Sequence, residues 1–106
     1  MGDHITDFEH LRQLNLNKNG LDNIDKLRNL KYLQHLEAAN NKIADNYFMS
    51  ESKQQLKFLT HVNLSNNKLT KLRQILCTKL LTLKLDSNAI EEVDMVGHGS
   101  LKSLSM

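Results

Sequence analysis

The sequence predicts an α/β solenoid: short coils stacked side by side, with a curved parallel sheet on the concave face and short 3₁₀ or helical turns on the convex face. Three observations lead there. One apolar pattern recurs in register along the chain. Its copies are too short to carry long convex helices. The composition also lacks the large side chains of an ordinary core: the 106 residues include no proline, no tryptophan and only 5% aromatics. A core of stacked leucines does not need them.

The pattern is Leu-x-x-Leu-x-Leu-x-x-Asn-x-Leu. It runs through Leu11, Leu14, Leu16, Asn19 and Leu21, then through Leu33, Leu36, Ala38, Asn41 and Ile43. The third copy is Leu59, Val62, Leu64, Asn67 and Leu69, and the fourth is Leu80, Leu83, Leu85, Asn88 and Ile90. A partial copy starts at Leu101 and Leu104. Starts at 11, 33, 59, 80 and 101 are 22, 26, 21 and 21 residues apart, inside the range of short solenoid repeats. Residues 1–106 are therefore expected to be one domain, and part of a longer array.

Each part of the pattern has a physical reading. Alternation such as Gln13-Leu14-Asn15-Leu16 is the period-two signature of a strand with one buried face. Successive strands should pair in parallel about 4.8 Å apart. The Asn follows each strand where the chain turns inward, and its amide can satisfy backbone groups that would otherwise be buried unpaired. Asn19, Asn41, Asn67 and Asn88 are thus expected to form a structural ladder. Ile24, Leu27 and Leu30, spaced by three, suit a 3₁₀ turn on the convex side, and Leu72, Ile75 and Leu76 read the same way.

Two regions depart from the regular coil. The second copy is longer than its neighbours, with the surplus inside residues 44–55, and insertions in solenoids often become loops on a binding face. Phe48 is expected to tuck under the convex side in place of a missing Leu. Tyr47 and Met49 are expected to stay partly exposed as a partner anchor. At the other end, Leu101, Leu104 and Met106 are expected to form an open, uncapped edge, to be covered by more of the array or by a partner. Ile5 and Phe8 supply only a partial preceding coil.

Composition narrows the function. The formal charge of +2 is mild, and no apolar run approaches the roughly 20 residues that span a bilayer. Met1-Gly2-Asp3-His4 lacks the basic and apolar segments of a secretory signal. With Cys77 alone, no internal disulfide can form, which favours a reducing, cytoplasmic setting. Lys18, Lys42, Lys68 and Lys84 fall at or near the turns and the remaining cations are expected on the convex side. That dispersion does not suggest a nucleic-acid partner.

The residues expected to face outward from the strands form a polar concave surface in three rows: Gln13, His35, His61 and Thr82; Asn15, Glu37, Asn63 and Lys84; Asn17, Ala39, Ser65 and Asp86. Ser103 and Ser105 continue the first two. Small polar side chains with scattered charges of both signs suit a protein-binding face better than a catalytic cleft. His35, His61 and Glu37 are donor types that could bind a metal, but such a site would be open and shallow, and a solvated pair is expected instead. Cys77 occupies the place of Leu30 and Leu56 in the repeat, so it is expected in the core and not as a nucleophile. His4, His10 and His98 form no triad, and there is no phosphate-binding or zinc motif. The expectation is a non-enzyme without metal, cofactor or small-molecule substrate, whose partners are other proteins of a multi-subunit complex.

The short period, the consensus quoted above and the apolar triplets that follow it resemble the SDS22-like leucine-rich repeats, over nearly the whole chain. These occur in intracellular proteins, among them a protein phosphatase 1 regulator, a spliceosomal small-nuclear-ribonucleoprotein subunit and axonemal proteins. The segments from Phe8 to Asn19, His35 to Asn41 and Leu80 to Val93, including Ala38 in place of Leu, are most similar to members of the ciliary radial spoke. The resemblance implies a structural, scaffolding role in the axoneme of a cilium or flagellum. It also implies two alternatives, a phosphatase regulatory subunit and a ribonucleoprotein adaptor. The phosphatase reading expects acidic and aromatic residues on the concave face. Here the concave rows hold only Glu37 and Asp86 as acids, and no aromatic.

Overall fold

A computed structural model describes residues 10–50, 55–93 and 101–105. Ile5, Phe8, His4, His98 and Met106, singled out above, lie outside them. The expected parallel sheet is present. Its strands are β1 (Gln13–Asn15), β2 (His35–Glu37), β3 (His61–Asn63), β5 (Thr82–Lys84) and β7 (Ser103–Ser105), in the order β1-β2-β3-β5-β7. Every pair is parallel, and the register is that of the sequence repeat: Leu14 opposite Leu36, Leu36 opposite Val62, Val62 opposite Leu83, Leu83 opposite Leu104. A stack of coils is the only simple way to place consecutive strands side by side in parallel with so few residues between them. The molecule is a leucine-rich-repeat solenoid.

Pairing continues beyond the strands. The amides of Leu16, Ala38, Leu64 and Leu85 donate to the carbonyls of Glu37, Asn63, Lys84 and Ser105 in the next coil. Each turn then carries a non-glycine residue in the left-handed region, Lys18, Asn40, Asn66 and Ser87, with φ between 58° and 60°, and the first turn adds Gly20 at 65°. That bend brings the following Asn inward. Asn41 Oδ1 accepts from the amides of Asn19 and Leu21, both at 3.0 Å, while its Nδ2 donates to the carbonyls of Leu16, Ala38 and Ala39. Asn67 accepts from Ile43 and donates to Ala38, Leu64 and Ser65; Asn88 accepts from Leu69 and donates to Leu64 and Leu85. Each of these amides ties its own turn to the preceding coil.

Asn19 is exposed, and its Nδ2 donates to the carbonyl of Asn17 in its own turn, as that of Asn41 does to Ala39. Residues 1–9 before it lie outside the described residues, so the rungs described are Asn41, Asn67 and Asn88.

The core is the leucine set the pattern named. Leu16, Leu33, Leu36, Leu59, Leu64, Leu80, Leu83 and Leu85 are buried, and Ala38 fills the one small position. Burial of each such side chain is worth about 1.5–3 kcal/mol. Cys77 is buried beside them.

On the convex side the two expectations part. Asp25–Asn29 is a 3₁₀ turn that buries Ile24, Leu27 and Leu30. Around Leu72 the chain is extended instead: β4 (Lys71–Leu72) pairs in parallel with β6 (Glu92–Val93). The amides of Ala89 and Glu91 donate to Leu69 and Thr70 of the neighbouring coil. Backbone pairing between coils thus replaces pairing within a turn. Leu72 and Ile75 are still buried, so the apolar spacing was right and the helical reading of it was not.

The insertion is a second 3₁₀ turn, Tyr47–Met49. Phe48 is buried, as expected. Met49 is not exposed: it is also wholly buried, and only Tyr47 reaches solvent. A 3₁₀ turn sets consecutive side chains about 120° apart, so two of three neighbours face the core and the third faces out. Asn46, also buried, reproduces a strand-like pair with the next coil, accepting from Arg73 N at 2.9 Å and donating to Arg73 O. Asp45 holds the Arg73 guanidinium, which lies 5.7 Å from the Tyr47 ring centre. Residues 45–49 are thus stapled to the next coil. Among the described residues no helix is long and apolar enough to cross a membrane.

Candidate functional site

The concave rows lie where the repeat puts them. Gln13, His35, His61, Thr82 and Ser103 are consecutive partners across the sheet, as are Asn15, Glu37, Asn63, Lys84 and Ser105. The third row, Asn17, Ala39, Ser65 and Asp86, follows just past the strands. Its members differ in exposure: Asp86 is open to solvent, Asn17 and Ser65 are half-buried, and Ala39 is buried.

Part of this polar surface is occupied with holding itself. Asn15 and Asn63 accept from the amides of Asn17 and Ser65, and Asn17 Oδ1 accepts from Ala39 N at 2.7 Å. The centre of the face is a small network around Glu37. His35 Nε2 lies 2.9 Å from its Oε2, and Asn63 Nδ2 donates to its Oε1 at 3.1 Å. Burial alone would raise the Glu37 carboxyl. The hydrogen bonds from His35 and Asn63, with the charges of His35 and Lys84, outweigh burial together and hold it below its ordinary value. At the far end Ser105 donates to Asp86 at 2.6 Å.

His35 and His61 stack with ring centres 5.5 Å apart and planes 20° from parallel. Near-parallel rings direct their nitrogens side by side instead of at one point. His35 is turned to Glu37, while His61 Nδ1 lies 2.9 Å from Thr60 Oγ1. Thr60 Oγ1 also donates to the Gln34 carbonyl, so the hydroxyl's single proton is placed there when His61 carries its own on Nδ1. Among the described residues no three His, Cys, Asp or Glu side chains converge as a metal site. Burial pushes the Cys77 thiol up to about 12, which leaves essentially no thiolate at neutral pH.

Sequence reasoning missed a second surface. The residues just before repeat starts at 11, 33, 59 and 80 are His10, Tyr32, Phe58 and Lys79, and they share one row at the N-terminal edge of the sheet. His10 stacks on Tyr32 at 5.3 Å, Tyr32 on Phe58 at 6.0 Å, and the Lys79 ammonium sits 5.1 Å above Phe58. Lys31, Lys57 and Lys102 are exposed in the same segments. The sequence does carry a signal for it, since any position at constant offset from the repeat start forms a row.

No family model matches the chain, and no curated protein does. Among solved structures, an internalin from Listeria monocytogenes aligns with 89% of this chain at 14% identity and a TM-score of 0.48. The aligned part is 40% of that internalin, so the chain spans less than half its length. The solenoid assignment stands on the strand register and the Asn ladder.

Proposed function

We propose that the chain is a protein-binding scaffold of a multi-subunit intracellular assembly, with the concave sheet face as a docking surface. One observation carries the reading. Five strands present equivalent polar positions in register across a single open face. Such a surface offers many shallow contacts to a large partner, and its one cysteine is locked in the core with a raised pKa. The most specific form is a structural component of the axonemal radial spoke, cytoplasmic and cytoskeletal, which rests on the resemblance in the repeat segments.

Localisation of a tagged chain, followed by cross-linking from Lys84 in isolated axonemes, tests it. The expected result is axonemal signal and cross-links from Lys84 to other spoke or axonemal proteins, weakened by charge reversal at Asp86. A diffuse signal with no concave-face cross-links would reject the axonemal assignment and the docking face together.

A further inference from the structure

We propose that the N-terminal edge of the sheet is a second docking surface, which takes an acidic protein segment and seats one of its apolar side chains in the recess lined by Arg12, Tyr32, Gln34 and Phe58. The proposal rests on the protein-binding reading above but uses a different face.

Shape is the first support. Arg12, Tyr32, Gln34 and Phe58 line a recess of about 230 Å³. That is smaller than the roughly 300–1,000 Å³ of small-molecule sites and suits a single side chain. Tyr32 is 43% and Phe58 40% exposed, in a chain with few aromatics. Half-exposed aromatic anchors beside an Arg are the composition of binding hot spots. The backbone beneath is already committed, since Arg12 O accepts from Gln34 N and His35 N, and Gln34 O accepts from Thr60 N and His61 N. What remains for a partner is side chain.

Charge is the second support. The segments 10–12, 31–34, 57–60, 78–81 and 101–102 contain Arg12, Lys31, Lys57, Lys79 and Lys102 and no Asp or Glu, and the one acid at the Lys31 and Lys57 offset is Glu9 of the first copy. The modest net charge of the chain hides this concentration on one edge. Because the rings stack on one another, their faces are turned inward and their edges are left to the outside. Aromatic edges carry the positive part of the ring quadrupole, so rings and cations favour the same partner, one rich in carboxylates and carbonyl oxygens.

The same geometry disfavours single-stranded RNA, the other natural occupant of a basic aromatic strip. Bases bind by stacking on open ring faces. Here Tyr32 lies between His10 and Phe58, and Lys79 covers the far face of Phe58. Inserting a base between two rings needs about 6.8 Å, twice the 3.4 Å rise of stacked bases, and the Tyr32–Phe58 spacing is 6.0 Å.

The test is fluorescence anisotropy with the full chain and three labelled probes: a peptide with one Leu between runs of Glu, its counterpart with Lys for Glu, and an oligouridylate of equal length. The acidic peptide should bind saturably and the basic one should not. Phe58→Ser, and separately Lys31→Glu with Lys57→Glu, should each weaken binding by about tenfold or more. Lys42→Glu with Lys68→Glu makes the same charge change at the opposite edge and should weaken it less than about threefold. The lysine variants alter exposed side chains only, so they keep the test valid if Phe58→Ser does not fold.

Equal losses in the two charge-reversal pairs would reduce the effect to bulk attraction and overturn the proposal. So would tighter binding of the oligouridylate, self-association of the chain through this strip, or no binding of the acidic peptide. If the peptide fails while Lys84 still cross-links to protein partners, the edge proposal falls and the concave-face reading stands.

Discussion

The two ends of the strands carry two rows of repeated residues that have opposite fates. At the C-terminal end, Asn41, Asn67 and Asn88 are drawn in and bound to the backbone of adjacent coils. At the N-terminal end, Tyr32 and Phe58 repeat at an equally regular offset but stay half-exposed, with Tyr32 stacked between His10 and Phe58 and Lys79 over Phe58. Periodicity alone therefore does not say whether a row builds the fold or is left for a partner. The backbone decides. Past the strand the chain turns inward and leaves amides and carbonyls that need side-chain partners. Before the strand the next coil already takes them, as Arg12 O and Gln34 O show.

That contrast can be tested by substitution. In the turn row, Asn41→Ala should cost about 2–3 kcal/mol in denaturant unfolding, because it orphans amides and carbonyls in two coils. Asn19→Ala should cost under about 0.5 kcal/mol, since among the described residues the Asn19 side chain bonds only within its own exposed turn. Equal costs would mean that the ladder extends to Asn19 after all. In the other row, Tyr32→Ser with Phe58→Ser should cost about 1 kcal/mol, the value of a stacked pair and some lost area.

The concave face between the rows should respond more weakly still. Glu37 has a lowered folded pKa, so its stabilisation is present above its ordinary value of 4.5 and is lost as pH falls through the lower folded value. The difference in stability between wild type and Glu37→Gln, under about 1 kcal/mol, should narrow as pH is taken below 4.5. A difference that widens there would reverse the sign assigned to the His35 and Asn63 bonds. Smallest of all, zinc should leave the melting temperature unchanged, with and without His35→Ala and His61→Ala. A zinc-dependent rise lost in the double variant would show that the stacked imidazoles can rearrange to converge.

Much of this was legible before any coordinates. Leu14, Leu36, Val62 and Leu83 pair as the repeat aligned them, and Asn41 and Asn67 bind backbone as their place after the strand required. What failed has identifiable causes. Leu72, Ile75 and Leu76 have helical spacing, yet the coil is closed by pairing β4 with β6, and apolar spacing cannot distinguish those routes to a buried face. Met49 was read by its chemistry, whereas its burial follows from the 120° step of a 3₁₀ turn. Asn46 gave no signal because its partner, Arg73, lies in the next coil outside the repeat consensus. The Tyr32–Phe58 strip is hidden for a related reason: no single residue type recurs in this row, which repeats only in aromatic character and charge.

The most direct test sets the two rows against each other in one experiment, urea unfolding of Asn67→Ala and Phe58→Ser beside the wild type. The expected losses are about 2–3 kcal/mol for Asn67→Ala, whose removal strands Ile43 N and three carbonyls, and under about 1 kcal/mol for Phe58→Ser. Losses of equal size, or a larger one for Phe58→Ser, would contradict the division into a row that holds the coils together and a row left open for a partner.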